Sequence, residues 1–192
     1  MLVVGSSHHA GLGAMKPGGV ARALLQGAPC AVALAPRGYR HGGTDRLRVI
    51  GVGYDASPES EAALDGAIEL GLANQATMRV TTVMPSAIGR EREISREPTL
   101  RDRMQAKLLA AIERCPRELR ALPQALTGNP ISELRQELER GVDVLVLGSR
   151  GYGPFMRVMM GSVADELMRS ASRPILVIPR AGSPAAGGST AG

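Results

Sequence analysis

The sequence contains no tryptophan, one phenylalanine and three tyrosines. Base-stacking platforms are built from aromatic faces, so a net charge of +5 and a pI near 9.9 do not by themselves make nucleic acid the partner. The basic residues are interleaved with acids, as in Arg90-Glu91-Arg92-Glu93, whereas nucleic-acid sites gather them on one face. A small anion fits the charge equally well. Cysteine is scarce: Cys30 and Cys115 form neither a metal-ligand spacing nor a disulfide framework, which agrees with a reducing compartment and with two plain thiols. No apolar run approaches the ~20 residues needed to cross a bilayer. The start lacks the basic, apolar and small-residue regions of a signal peptide, so the expected location is the cytoplasm. His8-His9, with His41 later, reads as exposed loop, since adjacent histidines on a loop point in different directions and make a poor metal cluster.

A hydrophobic content of 44% with 21% charged residues suits a soluble globular chain that buries a sizeable core. One stretch organises the rest: Val144 to Pro179, VLVLGSRGYGPFMRVMMGSVADELMRSASRPILVIP. Consecutive branched apolar residues from Val144 to Leu147 and from Ile175 to Ile178 suit strands covered on both faces, as in a parallel sheet between helix layers. Between them lie a loop beginning at Gly148 and a helix entered at Gly161-Ser162, so the stretch is a βαβ unit. Gly148, Gly151, Gly161 and Ser162 surround the mouth between a strand's end and a helix's start. Glycines let backbone N–H groups close on an anion, and the helix N-terminus attracts one.

The spacing G-x2-G-x9-G-S, followed by V-A-D-E-L and A-S-R-P-I-L-V-I-P, resembles the nucleotide-binding branch of the universal stress proteins. The resemblance covers about Arg46 to Arg180. It implies an α/β fold: a five-stranded parallel sheet of order 3-2-1-4-5, doubly wound, as in the adenine nucleotide alpha hydrolase-like proteins. It also implies an adenine nucleotide as ligand, ATP with or without magnesium, and a stress-response regulator or sensor acting on an unknown protein partner. Gly148 and Gly151 would approach ribose and phosphate through their backbones, and Gly161 with the N–H and hydroxyl of Ser162 would hold the terminal phosphates. Asp55 would meet the adenosine end, and Val83 would cover the adenine. Each position has a plainer reading. Asp55 is also a turn carboxylate, Val83 is also core, and the glycines also suit a structural turn. Arg150, inside the loop, is placed to neutralise phosphate or to face solvent.

The amino end carries a partial second copy. Leu2 to Arg37 lies without a gap on Leu145 to Arg180, placing Gly5 on Gly148, Gly18 on Gly161, Leu24 on Leu167 and Pro36-Arg37 on Pro179-Arg180. His8 stands at the Gly151 position and Gly19 at the Ser162 position, and Pro17 precedes the helix, so this copy is expected to hold phosphate poorly. Residues 1–37 are expected to be the C-terminal remnant of a first domain, with 38–45 a linker, 46–180 the complete domain and 181–192 a disordered tail. Tandem members of the family carry two full domains, and this chain resembles one truncated at its amino end. A lone strand, helix and strand has an exposed edge and little core, so it is expected to be an appendage or a swapped element.

Within the complete domain, Leu47 to Tyr54 reads as the first strand. Ser57-Pro58-Glu59 then opens a helix with Ala63, Leu64, Ala67, Ile68 and Leu72 at helical spacing. Arg79 to Met84 is the second strand, and Ser86 to Pro98 a polar loop. Thr99 to Cys115 is a helix. Glu118 to Leu126 is placed as a third strand despite Pro123, which an edge strand tolerates, and the sheet order that the resemblance implies makes it an edge; Asn129-Pro130 caps a helix ending near Gly141. Ligands of such sheets bind beyond the strands' carboxyl ends where the winding reverses, which the order 3-2-1-4-5 implied by the resemblance places between Asp55 and Gly148. There is no G-x-x-x-x-G-K-[ST], the only lysines are Lys16 and Lys107, and no Ser-Gly-Gly-x-Asp-Ser loop of the related adenylating enzymes appears. Efficient phosphoryl transfer needs a base, a carboxylate set for metal and a cation at the phosphates, so binding is expected over turnover, with slow ATP hydrolysis the enzymatic alternative. A third alternative is a dimerisation or interaction module with a vestigial site. In it Ile175 to Ile178 pairs across a two-fold axis, or Val32 to Ala35 takes that edge within the chain as a pseudo-dimer.

Overall fold

The computed structural model describes residues 1–7, 10–13, 15–39, 46–84, 99–149 and 162–179. The expected loop at 86–98, most of the linker, the tail, His8, His9, His41, Arg150, Gly151 and Gly161 lie outside the described residues. The strands are β1 (Leu2–Gly5), β2 (Val32–Ala35), β3 (Val49–Gly53), β4 (Thr77–Met84), β5 (Ala121–Thr127), β6 (Val144–Gly148) and β7 (Ile175–Ile178). The helices are α1 (Gly19–Gly27), α2 (Pro58–Asn74), α3 (Leu100–Glu113), α4 (Pro130–Glu139) and α5 (Ser162–Ser170). Their starts follow local chemistry. The Ser57 hydroxyl accepts from the Ser60 N–H at 3.2 Å ahead of Pro58. Thr99 and Asp102 form a reciprocal capping box. The Asn129 side chain accepts from the N–H groups of Ile131 and Ser132 at 2.9 and 3.2 Å. Beyond α4, Gly141 takes φ +92°, a left-handed turn that glycine accommodates without strain. Asn129→Ala removes acceptors for two otherwise unpaired donors. It is expected to lower stability by about 1 kcal/mol, seen in urea unfolding as a shifted midpoint with an unchanged slope.

The strands form one sheet of order β1-β2-β7-β6-β3-β4-β5. From β7 to β5 all pairs are parallel, which is the expected 3-2-1-4-5 order read from its other end. The third strand, with Pro123, is an edge. It begins at Ala121, later than expected, because a turn runs to its start, with the Leu119 N–H donating to the Pro116 carbonyl at 2.9 Å. The amino-terminal repeat does not stand apart. β1 pairs parallel with β2, and β2 pairs antiparallel with β7, Val32 opposite Val177 and Leu34 opposite Ile175. The sheet therefore has seven strands. Two apolar layers cover it. One gathers α1, α4 and α5 over Leu34, Leu145, Leu147 and Ile175. The other gathers α2 and α3 over Ile50, Val52, Met78, Val80 and Val146. Because β3 and β6 are covered on both faces, their side chains are apolar without alternation.

Candidate functional site

β3, β4 and β6 end side by side, and the first turns of α2, α4 and α5 border the space at these ends. A cavity of about 140 Å³ opens there. Its walls come from the strand ends (Gly53 to Asp55, Thr81, Val83, Leu147 and Gly148) and from the first turns of α2, α4 and α5. Three helix N-termini border this hollow, and their dipoles contribute positive potential there, set against the carboxylates of Asp55 and Glu59, which also line it. Val83, Pro130, Leu134, Leu147 and Val163 supply an apolar lining.

The turn from β3 into α2 is tightly bonded. Asp55 Oδ1 accepts from the Ser57 N–H at 3.1 Å and from the Ser57 hydroxyl at 2.5 Å. The Asp55 N–H donates to the Ser60 hydroxyl at 3.3 Å, and that hydroxyl donates to the Ser57 carbonyl at 2.9 Å. Ala56, between them, has φ +58°, a left-handed conformation costly for alanine that the flanking bonds hold in place. Strain of this kind collects where a loop must present groups to a ligand. Asp55 is thus both a turn carboxylate and a wall of the cavity.

Gly148 has a structural requirement of its own. A Cβ there would lie 2.3 Å from the Glu59 carbonyl oxygen and 2.4 Å from its carbon, so only glycine lets β6 reach α2 this closely. Also against α2, the hydroxyl of Tyr54 donates to Glu61, whose carboxylate also pairs with Arg114; Arg114 further meets Asp65 at 2.6 Å. Burial, with Glu61 accepting from it, raises the phenol above its ordinary pKa.

Of the residues anticipated from sequence, Asp55, Val83 and Gly148 line the same cavity. Ser162 is the exposed first residue of α5, and the cavity wall begins with the next two residues, Val163 and Ala164. Gly151 and Gly161 lie outside the described residues. Sequence reasoning did not identify Thr81, Ser60 or Leu134 as cavity residues. Thr81 was findable, since a strand places i and i+2 on one face and Val83 was already chosen. Among the described residues no group of three or more His, Cys, Asp or Glu side chains could hold a metal ion, and no helix is long and apolar enough to cross a membrane.

The universal stress protein family model matches residues 46–179. A universal stress protein of Mycobacterium tuberculosis (strain ATCC 25618 / H37Rv) is 28% identical over 195 residues, covering 93% of this chain and 64% of its own length; the chain thus spans just under two thirds of that relative. Among solved structures, a universal stress protein from Archaeoglobus fulgidus DSM 4304 matches with a TM-score of 0.63 and 18% identity, covering 93% of this chain and 62% of that one. A universal stress protein in complex with cAMP matches with a TM-score of 0.56 and 21% identity, covering 71% of this chain and 99% of that one. UspA from Lactobacillus plantarum matches with a TM-score of 0.52 and 20% identity, covering 70% and 99%. These structural likenesses concern the fold, and they agree with the doubly wound sheet described above. With the family model spanning all of β3 to β7, the chain belongs to the universal stress protein family.

Proposed function

We propose that this protein binds an adenine nucleotide, ATP in the first instance, in the cavity between β3 and β6, and that it acts in the cytoplasm as a stress-response regulator or sensor. The observation that carries the reading is the convergence of three helix N-termini and an apolar lining at the point where the sheet's winding reverses. The dipoles suit phosphates and the lining suits a flat base. The solved complex of a universal stress protein with cAMP supports the ligand class. In this reading Val83 covers the base and Asp55 meets the adenosine end. The backbones of Gly148 and Gly151 approach ribose and phosphate, and Gly161 and Ser162 hold the terminal phosphates. Magnesium would arrive on the phosphates, keeping most of its waters.

Calorimetric titration of the nucleotide-stripped chain with ATP and magnesium tests the reading. Saturable binding that is lost in Gly161→Val/Ser162→Ala is the expected result; no heat in the unaltered protein would sink it. Turnover is not part of the proposal, since the loop sequence from Gly148 to Gly161 carries no lysine and no carboxylate. Residues 1–37 serve, in this reading, as a partial second copy docked on residues 46–180. The antiparallel pair of β2 and β7 supports an intramolecular pseudo-dimer, because the edge through which two copies could join is already occupied within the chain.

A further inference from the structure

Behind Val83, two residues deeper along β4 on the same face, Thr81 is only 2% exposed and lines the cavity. Its hydroxyl has one hydrogen to give and lone pairs to offer. The hydrogen is committed. Thr81 Oγ1 donates to Gln124 Oε1 at 3.3 Å, and Gln124 is held in that orientation because its amide nitrogen donates to Glu137 Oε1 at 3.1 Å. A carboxylate only accepts, so the amide group of Gln124 must face Glu137 and its carbonyl must face Thr81. Glu137 is itself 1% exposed and is anchored by Arg140 at 3.1 Å and Arg79 at 3.5 Å. The direction of every proton in the chain Thr81, Gln124, Glu137 is therefore set by two surface arginines. Among the described residues nothing donates to Thr81 Oγ1, so what remains on that oxygen is acceptor capacity at the cavity's floor.

We propose that Thr81 is a specificity residue whose hydroxyl oxygen accepts from an amino group on the inner edge of the bound base, with Gln124 and Glu137 as positioning residues that forbid the opposite polarity. The inference rests on the nucleotide reading of the cavity and adds to it a means of choice. A base carrying an amino group at that edge is matched, and one carrying a carbonyl there meets lone pairs with lone pairs. A site built to pair a polar group discriminates strongly against an analogue that leaves it unpaired.

The test compares ATP with inosine triphosphate, which has a carbonyl in place of the amino group, by calorimetry on the full chain. The expected result is a preference of about tenfold for ATP, the scale of one unmatched buried hydrogen bond. Thr81→Val should bring ATP down to the level of inosine triphosphate while leaving the latter within about twofold. Gln124→Met frees the Thr81 hydrogen and should narrow the preference by strengthening inosine triphosphate. This second variant lies on the edge strand and tests the proton direction without touching the cavity wall. Equal losses for both nucleotides in Thr81→Val, or an unchanged ratio in Gln124→Met, would overturn the inference. Equal binding of the two nucleotides by the unaltered protein would overturn it while leaving the nucleotide reading intact, and binding of neither would overturn both.

Discussion

Gly148→Ala is expected to lower stability by about 3 kcal/mol, at the upper end for overpacking a close contact, and with it to weaken any ligand of the cavity. The added Cβ would sit 2.3 Å from a backbone oxygen of Glu59, and backbone in the first turn of a capped helix has no rotamer to yield. Either β6 or the start of α2 must move. The turn made by Asp55, Ser57 and Ser60 moves with α2 and the cavity wall deforms. A melting-temperature decrease of about 6–12 °C follows for a chain of this size. The internal repeat supplies the control. Gly5 occupies the equivalent place on β1, and a Cβ built there meets nothing within 4 Å. Gly5→Ala should leave the melting temperature within about 1 °C. A benign Gly148→Ala would mean that β6 and α2 are less closely packed than described.

Leu34→Ala is expected to cost about 2–5 kcal/mol, the range for a fully buried leucine whose site cannot collapse, and to shift a single unfolding transition of the whole molecule. Leu34 is on β2, within the amino-terminal repeat, and is 0% exposed. It lies opposite Ile175 and shares a core with Leu145 and Leu167. Denaturant unfolding followed by far-ultraviolet circular dichroism checks the prediction. One transition with a lower midpoint and unchanged slope indicates that the repeat and the complete domain unfold together. A second, earlier transition, with the main one unmoved, would mean that residues 1–37 are a separately melting unit.

Much of the architecture was legible because its causes are local. Ser57-Pro58, Thr99 with Asp102 and Asn129-Pro130 announce helix starts by the donors they satisfy. The unbroken apolar runs at Val144 and Ile175 announce strands covered on both sides. Pro123 is compatible with the edge position that the family's strand order gave its strand, since proline cannot donate to a second neighbour. Asp55, just beyond β3, and Gly148, at the end of β6, were brought to one crevice by the strand order of the resembled family together with the switch-point rule, and in the structure both line the cavity.

What was not legible depends on which distant groups come to touch. The sequence read Gly148 as a ligand contact, while the structure adds the close approach of Glu59, a relation between a strand and a helix some ninety residues earlier. Thr81, Gln124 and Glu137 carry no common motif, and only the register of β4 with β5 and the packing of α4 over them bring the three together. The repeat at the amino end was visible as a sequence pattern, but its place was left open between an appendage, a swapped element and the edge of Ile175 to Ile178, which it takes. The strand Leu2 to Gly5 and the strand Val32 to Ala35 could equally have formed a separate appendage by local rules. The sequence by itself determined the elements, their order and the parallel, doubly wound class, because helix caps, apolar runs and connection lengths act over a few residues. The tertiary structure decided that β2 lies antiparallel on β7, because the last strand's open edge and the buried side of Leu34 find their lowest free energy against each other, a choice made by non-local burial and backbone pairing.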